Sequence, residues 1–184
     1  MSPEPMPERE KYERSLRLVS PFVLENKLRE LRKYIDPYEM WYDIGAGMGQ
    51  YSVALQDEGY RITAVEPLEG YYEYAVRQRA EDLTVCADGA FLINVLHHSD
   101  DPVRLLRHLR TLCPKIVVSE LNRENRVVEM FVRFMLPWED INGHLNANDV
   151  RHFLSLAGWT RVKDYSTSLL GVSNVYNWFV CEDR

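Results

Sequence analysis

The sequence predicts an α/β fold in which a mostly parallel sheet is covered by helices on both faces. Short apolar segments rich in aromatic and β-branched residues alternate with helical patterns of roughly ten to fifteen residues, which is typical of strands joined by helical crossovers. A second observation is a glycine-rich turn directly after the first strand-like segment. Both features favour a three-layer αβα sandwich whose ligands bind at the carboxyl ends of the strands.

Length and charge restrict the class of partner. The chain has 184 residues, 46% of them hydrophobic, and 22 basic against 28 acidic side chains give a net charge of −6. This length is enough for one domain with a sizeable core. The acidic balance argues against nucleic acid or an anionic membrane surface, because both need Lys and Arg to replace counterions. We therefore expect a small-molecule or protein partner.

The N-terminal segment and the cysteines indicate a cytoplasmic protein. Residues 1–20 are predicted to form a tail or lid segment, and residues 21–184 a single domain. The first ten residues alternate Pro and Glu, unlike a signal or transit peptide, and no apolar run approaches the roughly 20 residues that span a bilayer. The three cysteines have no C-x-x-C spacing, which favours reduced thiols.

The first half of the chain alternates helices and strands that end at Pro or Gly. Pro21 suits a first helical position, and apolar residues recur at helical spacing until Asp36-Pro37 ends the first helix. Residues 40–44 are dense in aromatic and β-branched side chains, which favours a strand running into the glycine turn. The elements that follow are predicted as a helix over 50–58, a strand over 61–66, a helix over 68–80 and a strand over 90–93.

The second half continues this alternation and then closes the sheet differently. Asp101-Pro102 predicts the start of a helix, and Asn148 is the predicted cap of a later helix that Gly158 ends. The last two strands have no helix between them, so we expect them to be antiparallel to each other. The elements of this half are a helix over 101–112, a strand over 115–120, a helix over 124–136, a polar loop over 138–148, a helix over 148–158 and strands over 159–170 and 175–180.

The glycine turn and a later acidic residue predict a nucleoside-containing cofactor. Gly45, Gly47 and Gly49 allow the backbone to bend sharply and to approach a ligand closely. Glu66 follows 66 − 45 = 21 residues later, at the spacing where a carboxylate accepts the hydroxyls of a ribose. The spacing G-x-G-x-G differs from the G-x-G-x-x-G that seats a pyrophosphate. Asp43 would repel a pyrophosphate but can engage an amino-bearing ligand, which favours S-adenosylmethionine over NAD.

Four segments in the chain carry a family resemblance. They are Asp43-Ile44-Gly45-Ala46-Gly47-Met48-Gly49, Ala64-Val65-Glu66-Pro67, Asn94-Val95-Leu96-His97-His98-Ser99-Asp100-Asp101-Pro102 and Leu156-Ala157-Gly158-Trp159. With these segments in order, the chain over about 40–159 resembles the class I S-adenosylmethionine-dependent methyltransferases, especially the small-molecule group that includes quinone-biosynthesis methyltransferases. The resemblance implies a Rossmann-like fold, S-adenosylmethionine as methyl donor and S-adenosylhomocysteine as product.

The resemblance also implies a set of cofactor-binding residues. Gly45 and Gly47 would line the methionine portion of the cofactor. Glu66 would hold the ribose, and Asp43 would contact the amino-acid end, directly or through water. The remaining members of this predicted set are Ala46, Gly49, Pro67 and Asn94.

The region before the fourth strand departs from the family pattern. Residues 83–88 are strand-like and residues 90–93 follow almost at once, but two residues cannot join neighbouring parallel strands. We therefore expect the third strand and its helix to be lost or reduced to a loop, which leaves about six strands. Asp88 either reaches the adenine from this loop or caps a turn, since Asp-Gly is a common turn pair.

Candidate catalytic residues follow the ends of later strands and lie in the polar loop. These are His97, His98, Glu120 and His144, and a base among them would serve hydroxyl, carbon or protonated amine acceptors. The histidine pair has an alternative role in packing and hydrogen-bonding its loop, and His144 has an alternative as a solvated loop residue. No three ligands have a convincing spacing, so no metal is predicted.

The sequence thus predicts a cytoplasmic methyltransferase that acts on a small, hydrophobic or aromatic acceptor. The helix over 124–136 carries an apolar stripe that would roof an acceptor pocket, pack in the core or form a homodimer contact, and Tyr12 resembles lid residues in its placement. The rivals are a non-catalytic cofactor-binding or partner subunit of the same fold and an NAD-dependent oxidoreductase. Neither nucleic acid nor a membrane is a predicted partner.

Overall fold

Six strands form one sheet in the computed structural model, which describes residues 21–69, 71–135 and 144–183, with side chains for all of these except 134 and 135. The strands are β1 (Met40–Ile44), β2 (Arg61–Val65), β3 (Gly89–Ile93), β4 (Lys115–Leu121), β5 (Arg161–Leu169) and β6 (Val172–Glu182). The helices are α1 (Pro21–Leu31), α2 (Gln50–Asp57), α3 (Pro102–Leu112), α4 (Arg126–Met135) and α5 (Ala147–Ala157). The predicted tail or lid with Tyr12, and the part of the predicted polar loop before His144, lie outside the described residues.

The sheet is mostly parallel, as predicted. The strand order is β2-β1-β3-β4-β6-β5, and β1 to β4 run parallel. β6 pairs antiparallel with both β4 and β5, so the two last strands close the sheet as expected. Because β1 has β2 on one side and β3 on the other, the carboxyl ends of β1 and β3 form a switch point, where sheets of this kind bind ligands.

Helices cover both faces of the sheet. Side chains along each strand alternate between the faces, so each face presents apolar groups to the helices. On one face, α1, α2 and α4 bury apolar side chains against Trp41, Phe91 and Val117. On the other face, α3 and α5 pack against Ile44 and Leu92. These two clusters confirm the three-layer αβα sandwich. None of the helices in the described ranges is long and apolar enough to cross a membrane.

Capping side chains decide where two of the helices begin. Asp101 caps α3 as predicted, and its carboxylate accepts the backbone N–H of Arg104 at 2.9 Å. The cap of α5 is Asn146, two residues before the predicted Asn148. Asn146 and Asp149 form a reciprocal capping box, in which each side chain accepts the other residue's N–H, at 2.9 and 3.0 Å.

The segment between β2 and β3 confirms that the third strand is reduced. Among the described residues of this segment, only Val76 bridges to β2: its N–H donates to the Ala64 carbonyl at 2.8 Å, and its carbonyl accepts the Glu66 N–H at 3.1 Å. Residues 83–88 form no strand, and β3 begins directly after them. The third strand therefore survives as a single bridge beside β2.

The prediction of a helix over 68–80 is wrong. Its described residues form turns, followed by a short 3-10 turn at Ala80–Asp82. The Arg77 guanidinium donates to the carbonyls of Leu68 and Tyr72 at 2.7 and 2.6 Å. The Tyr72 carbonyl also accepts the Ala75 N–H at 3.1 Å, so Arg77 adds a second donor there and supplies a donor to the Leu68 carbonyl.

Candidate active site

The glycine turn lies at the switch point of the sheet, directly after β1. Gly45, Gly47 and Gly49 have φ values of 66°, 57° and 77°, a region that residues with a side chain rarely adopt. A Cβ on Gly45 would lie 2.7 Å from a Val95 methyl carbon, and one on Gly49 would lie 2.5 Å from the Tyr72 ring. The turn therefore requires glycine both for its conformation and for space.

Glu66 follows β2 and is bound to the glycine turn. One carboxylate oxygen accepts the Gly47 N–H at 2.9 Å, and the other accepts the Leu68 N–H at 3.0 Å. Each oxygen keeps a further lone pair for a ligand hydroxyl. Glu66 is buried next to the turn, as is Ala46, whereas Pro67 is exposed. The fold thus brings the two parts of the predicted cofactor motif into direct contact.

Asp43 lies beneath the same turn and is the second-last residue of β1. Its buried carboxylate accepts the Ser52 hydroxyl at 2.7 Å, which ties β1 to the first turn of α2. Burial raises the pKa of Asp43 to about 7; the Ser52 hydrogen bonds oppose this shift in part, and the charge of Glu66 adds to it. Two carboxyl groups therefore flank the turn, an arrangement that favours a ligand with a cationic amino group.

Replacing Asp43 with asparagine is expected to change how stability depends on pH. Because folding raises the pKa of Asp43 from 3.8 to about 7, protonation of this carboxyl group stabilises the folded state. This stabilisation is fully present below pH 4 and is lost as the pH rises through 7. Between pH 5 and 7 the native chain is expected to lose about 2–3 kcal/mol relative to Asp43→Asn, at about 1.4 kcal/mol for each pH unit. Urea unfolding across this range measures the difference, with Asp57→Asn on the exposed end of α2 as control. Parallel pH curves for the native chain and Asp43→Asn would contradict the prediction.

Asp88 precedes β3 and Asn94 follows it, so the two residues lie at opposite ends of this strand. The Asp88 carboxylate accepts the Met40 N–H at 2.7 Å, and its own N–H donates to the Met40 carbonyl at 2.9 Å. Met40 begins β1, so Asp88 lies at the edge away from the glycine turn, and this placement contradicts the predicted adenine contact. Asn94 follows β3 at the ligand edge, with φ 55° and a buried side-chain oxygen that has no hydrogen-bond partner in the described part of the chain.

A buried His–Glu pair lies across the ends of β3 and β4. His97 Nδ1 is 2.7 Å from Glu120 Oε2, while Glu120 Oε1 accepts the N–H groups of Val95 and Leu96 at 3.1 and 2.8 Å. Burial by itself would raise the pKa of Glu120, but the hydrogen bond and charge of His97, the Leu96 N–H and the charge of Lys27 together lower it. An ionised Glu120 can only accept, so Nδ1 of His97 is the donor, and in the neutral imidazole the free lone pair is on Nε2.

Two further histidines join this pair. The rings of His98 and His144 lie beside that of His97, with centroids 4.0 and 4.2 Å away. Arg123 donates to the His144 carbonyl at 3.0 Å and so ties His144, which is buried rather than solvated, to the loop after β4. All four predicted catalytic residues therefore lie together. Atoms of His97, Glu120 and His144 that could bind a metal ion lie within 4.8 Å of one another. The spacing of these residues in the sequence does not indicate this grouping. The absence of a metal stays a prediction.

Lys27 is not among the predicted site residues, yet the fold buries it near this edge. Its side chain is 1% exposed, and its Nζ lies 4.3 Å from the centroid of the Tyr176 ring. Burial lowers the pKa of Lys27 to about 7, and the charge of Glu120 opposes that shift. The sequence does hold a signal, because Lys27 falls on the apolar stripe of α1, three residues after Leu24 and four before Leu31.

Comparison with known proteins identifies the family. The model of the family described as "Methyltransferase domain" matches residues 13–162, so the chain belongs to this family. The fold and the family together define a class I S-adenosylmethionine-dependent methyltransferase, and S-adenosylmethionine is the cofactor of this class. A search of curated proteins finds no match.

Solved methyltransferase structures share the fold over nearly the whole chain. A SAM-dependent methyltransferase of Thermotoga maritima, described as a possible histamine N-methyltransferase, is 20% identical, with a TM-score of 0.73 and 95% of each chain covered. Magnesium protoporphyrin IX methyltransferase of Synechocystis PCC 6803, with bound SAH, is 15% identical, with a TM-score of 0.65, covering 95% of this chain and 94% of that one. The 1,6-didemethyltoxoflavin-N1-methyltransferase of Burkholderia thailandensis is 17% identical, with a TM-score of 0.64, covering 98% and 92%. At these identities the similarity supports the fold.

Proposed function

We propose that the protein transfers a methyl group from S-adenosylmethionine to a small acceptor. The observation that carries this proposal is the glycine turn, which the Glu66 carboxylate contacts through the Gly47 N–H at 2.9 Å at the switch point of the sheet. Family membership supports the same reaction class. The three free cysteines are consistent with action in the cytoplasm.

The residues at the turn fit this cofactor. The missing Cβ atoms of the glycines allow close approach of a ligand to the backbone, and Glu66 keeps lone pairs for the ribose hydroxyls. Asp43 and Glu66 place negative charge where the amino group of the methionine portion would lie. The Asn94 side-chain oxygen, which has no partner among the described residues, can accept from a ligand donor. Ala46 and Pro67 complete this proposed cofactor set.

Proton transfer is the task of His97 in this proposal. S-adenosylmethionine supplies a methyl group that its sulfonium already activates, so the protein mainly has to align the acceptor and exclude water. For a hydroxyl or protonated amine acceptor, His97 Nε2 takes up the acceptor's proton, and Glu120 stabilises the imidazolium that forms. The rings of His98 and His144 pack against the His97 ring and restrict its rotation.

We propose a hydrophobic or aromatic acceptor on the basis of α4. Its apolar side chains Val127, Met130 and Phe131 are exposed, whereas Val128 and Val132 on the same helix are buried in the core. Such exposed groups suit the roof of an apolar acceptor pocket, or a contact between two copies of the chain. The protoporphyrin and toxoflavin methyltransferases of the same fold act on small molecules, which supports the acceptor size.

Calorimetric titration with S-adenosylhomocysteine and with NAD tests the proposed function. We expect S-adenosylhomocysteine to bind and NAD to give no heat of binding, because the G-x-G-x-G turn and Asp43 disfavour a pyrophosphate. Binding of NAD alone would refute the proposal. Transfer of labelled methyl groups to a panel of small acceptors then tests catalysis, and cofactor binding without any transfer would favour a non-catalytic subunit.

A further inference from the structure

Lys27 is a buried lysine whose amine has no hydrogen-bonding partner among the described residues. Its Nζ has no hydrogen-bond acceptor within the described ranges, and it lies over the face of the Tyr176 ring, 4.3 Å from the centroid. No other lysine or arginine among the described residues is buried. An ammonium taken out of water without a partner carries a desolvation cost of several kcal/mol, so a partner is expected from elsewhere.

Two buried carboxylates are candidates to pair with Lys27: one is close to it in the chain, and the other interacts with its charge. Both already accept hydrogen bonds from other groups. Glu30, one turn further along α1, accepts from the Lys33 ammonium at 2.7 Å and from the Tyr165 hydroxyl at 3.0 Å. Glu120 lowers the cost of the Lys27 charge through space, but its oxygens accept from His97 and from two backbone N–H groups. Among the described residues, none therefore accepts from the N–H donors of Lys27, which leaves these donors for a ligand.

Strand register places Lys27 at the catalytic edge of the sheet. Tyr176, whose ring meets the ammonium, pairs with Leu121, the last residue of β4 and the neighbour of Glu120. Ser119 lies on the same face of β4 as Leu121, and its buried hydroxyl also has no hydrogen-bond partner in the described part of the chain. Two buried polar groups that have no hydrogen-bond partner among the described residues therefore lie near the end of β4, the strand that carries Glu120.

We propose that Lys27 binds a carboxylate of the methyl acceptor, so that the acceptor is a small apolar or aromatic carboxylic acid. This inference rests on the proposed function and assigns the substrate class of the same site. A monoanion meets less repulsion than a dianion from Asp43, Glu66 and Glu120, whose acidic groups lie at this edge.

Paired probes test this proposal on the full chain. Benzoate and hexanoate are titrated calorimetrically, with and without S-adenosylhomocysteine, against their neutral counterparts benzamide and hexanamide. We expect a carboxylate to bind at least about tenfold more tightly than its amide, and Lys27→Met to weaken carboxylate binding by about thirtyfold or more. Lys115→Met is the matched control, because Lys115 also lies over a ring, that of Trp41 at 5.5 Å, but at the amino-terminal end of β4.

Thermal unfolding without ligand separates a binding role from a structural one. Lys27→Met removes a buried charge that has no partner in the described part of the chain, so we expect the unfolding midpoint of the variant to rise. A lysine that stabilises the fold would instead give a lower midpoint. Absence of a carboxylate preference in the native chain, or its persistence in Lys27→Met, overturns the proposal. If Lys27→Met does not fold, Lys27→Gln serves for the same comparison. Failure of S-adenosylhomocysteine to bind the native chain counts instead against the proposed function.

Discussion

Glu66→Ala is expected to weaken S-adenosylhomocysteine binding by about 100-fold or more. In the proposed complex the Glu66 carboxylate accepts both ribose hydroxyls, and hydrogen bonds to a charged group contribute about 1.5–3 kcal/mol each. Two such bonds amount to about 3–6 kcal/mol, and about 2.8 kcal/mol already corresponds to 100-fold. The variant also deprives the Gly47 N–H of its acceptor, which loosens the turn itself. Calorimetry of the variant and the native chain measures the loss.

Two further variants separate the ribose contact from general damage to the turn. Glu66→Gln keeps the size and one acceptor oxygen, so we expect an intermediate affinity. Glu69→Ala removes an exposed carboxylate from the same loop and is expected to bind like the native chain. If Glu66→Ala retained native affinity, the cofactor would not lie where we propose.

Glu120→Ala is expected to destabilise the fold by about 3–5 kcal/mol. The variant leaves the N–H groups of Val95 and Leu96 and the Nδ1–H of His97 without an acceptor. It also removes the negative charge that helps to hold the Lys27 ammonium in the interior. Urea unfolding measures the change. Glu129→Ala, which breaks the exposed pair with Arg133 on α4, is the control and is expected to cost less than about 1 kcal/mol.

Glu120→Gln distinguishes the proposed catalytic role of this carboxylate from its structural one. The amide keeps an acceptor for the backbone N–H groups, but its NH₂ donates to His97 and so favours the tautomer with the proton on Nε2, which cannot act as a base. We expect methyl transfer to hydroxyl acceptors to fall by about 10²–10⁴-fold while S-adenosylhomocysteine still binds. Nitrogen-15 NMR of the histidine rings reports the tautomer directly, and an unchanged Nδ1–H signal would contradict this account.

The fold class and the cofactor end of the site could be predicted from the sequence because they depend on residues close together in the chain. Strand and helix patterns are local, and the distance from the glycine turn to Glu66 is that of one strand–helix–strand unit, β1-α2-β2. Local patterns gave wrong predictions where a contact with a distant residue determined the backbone conformation. Arg77 holds the segment after Glu66 as a loop, and pairing with Met40 directs Asp88 to the opposite edge of the sheet.

The sequence by itself thus determined the layered α/β fold, the loss of a regular third strand and the glycine–acid motif that predicts S-adenosylmethionine. Only the tertiary structure decided how the acceptor end is arranged. His97, Glu120, His144 and Lys27 come from four separate segments, and the pairing of β3 with β4, the register of β6 and the packing of α1 bring them to one edge. The physical reason is that burial and partners, which no local pattern specifies, set the charge and the role of an ionisable side chain.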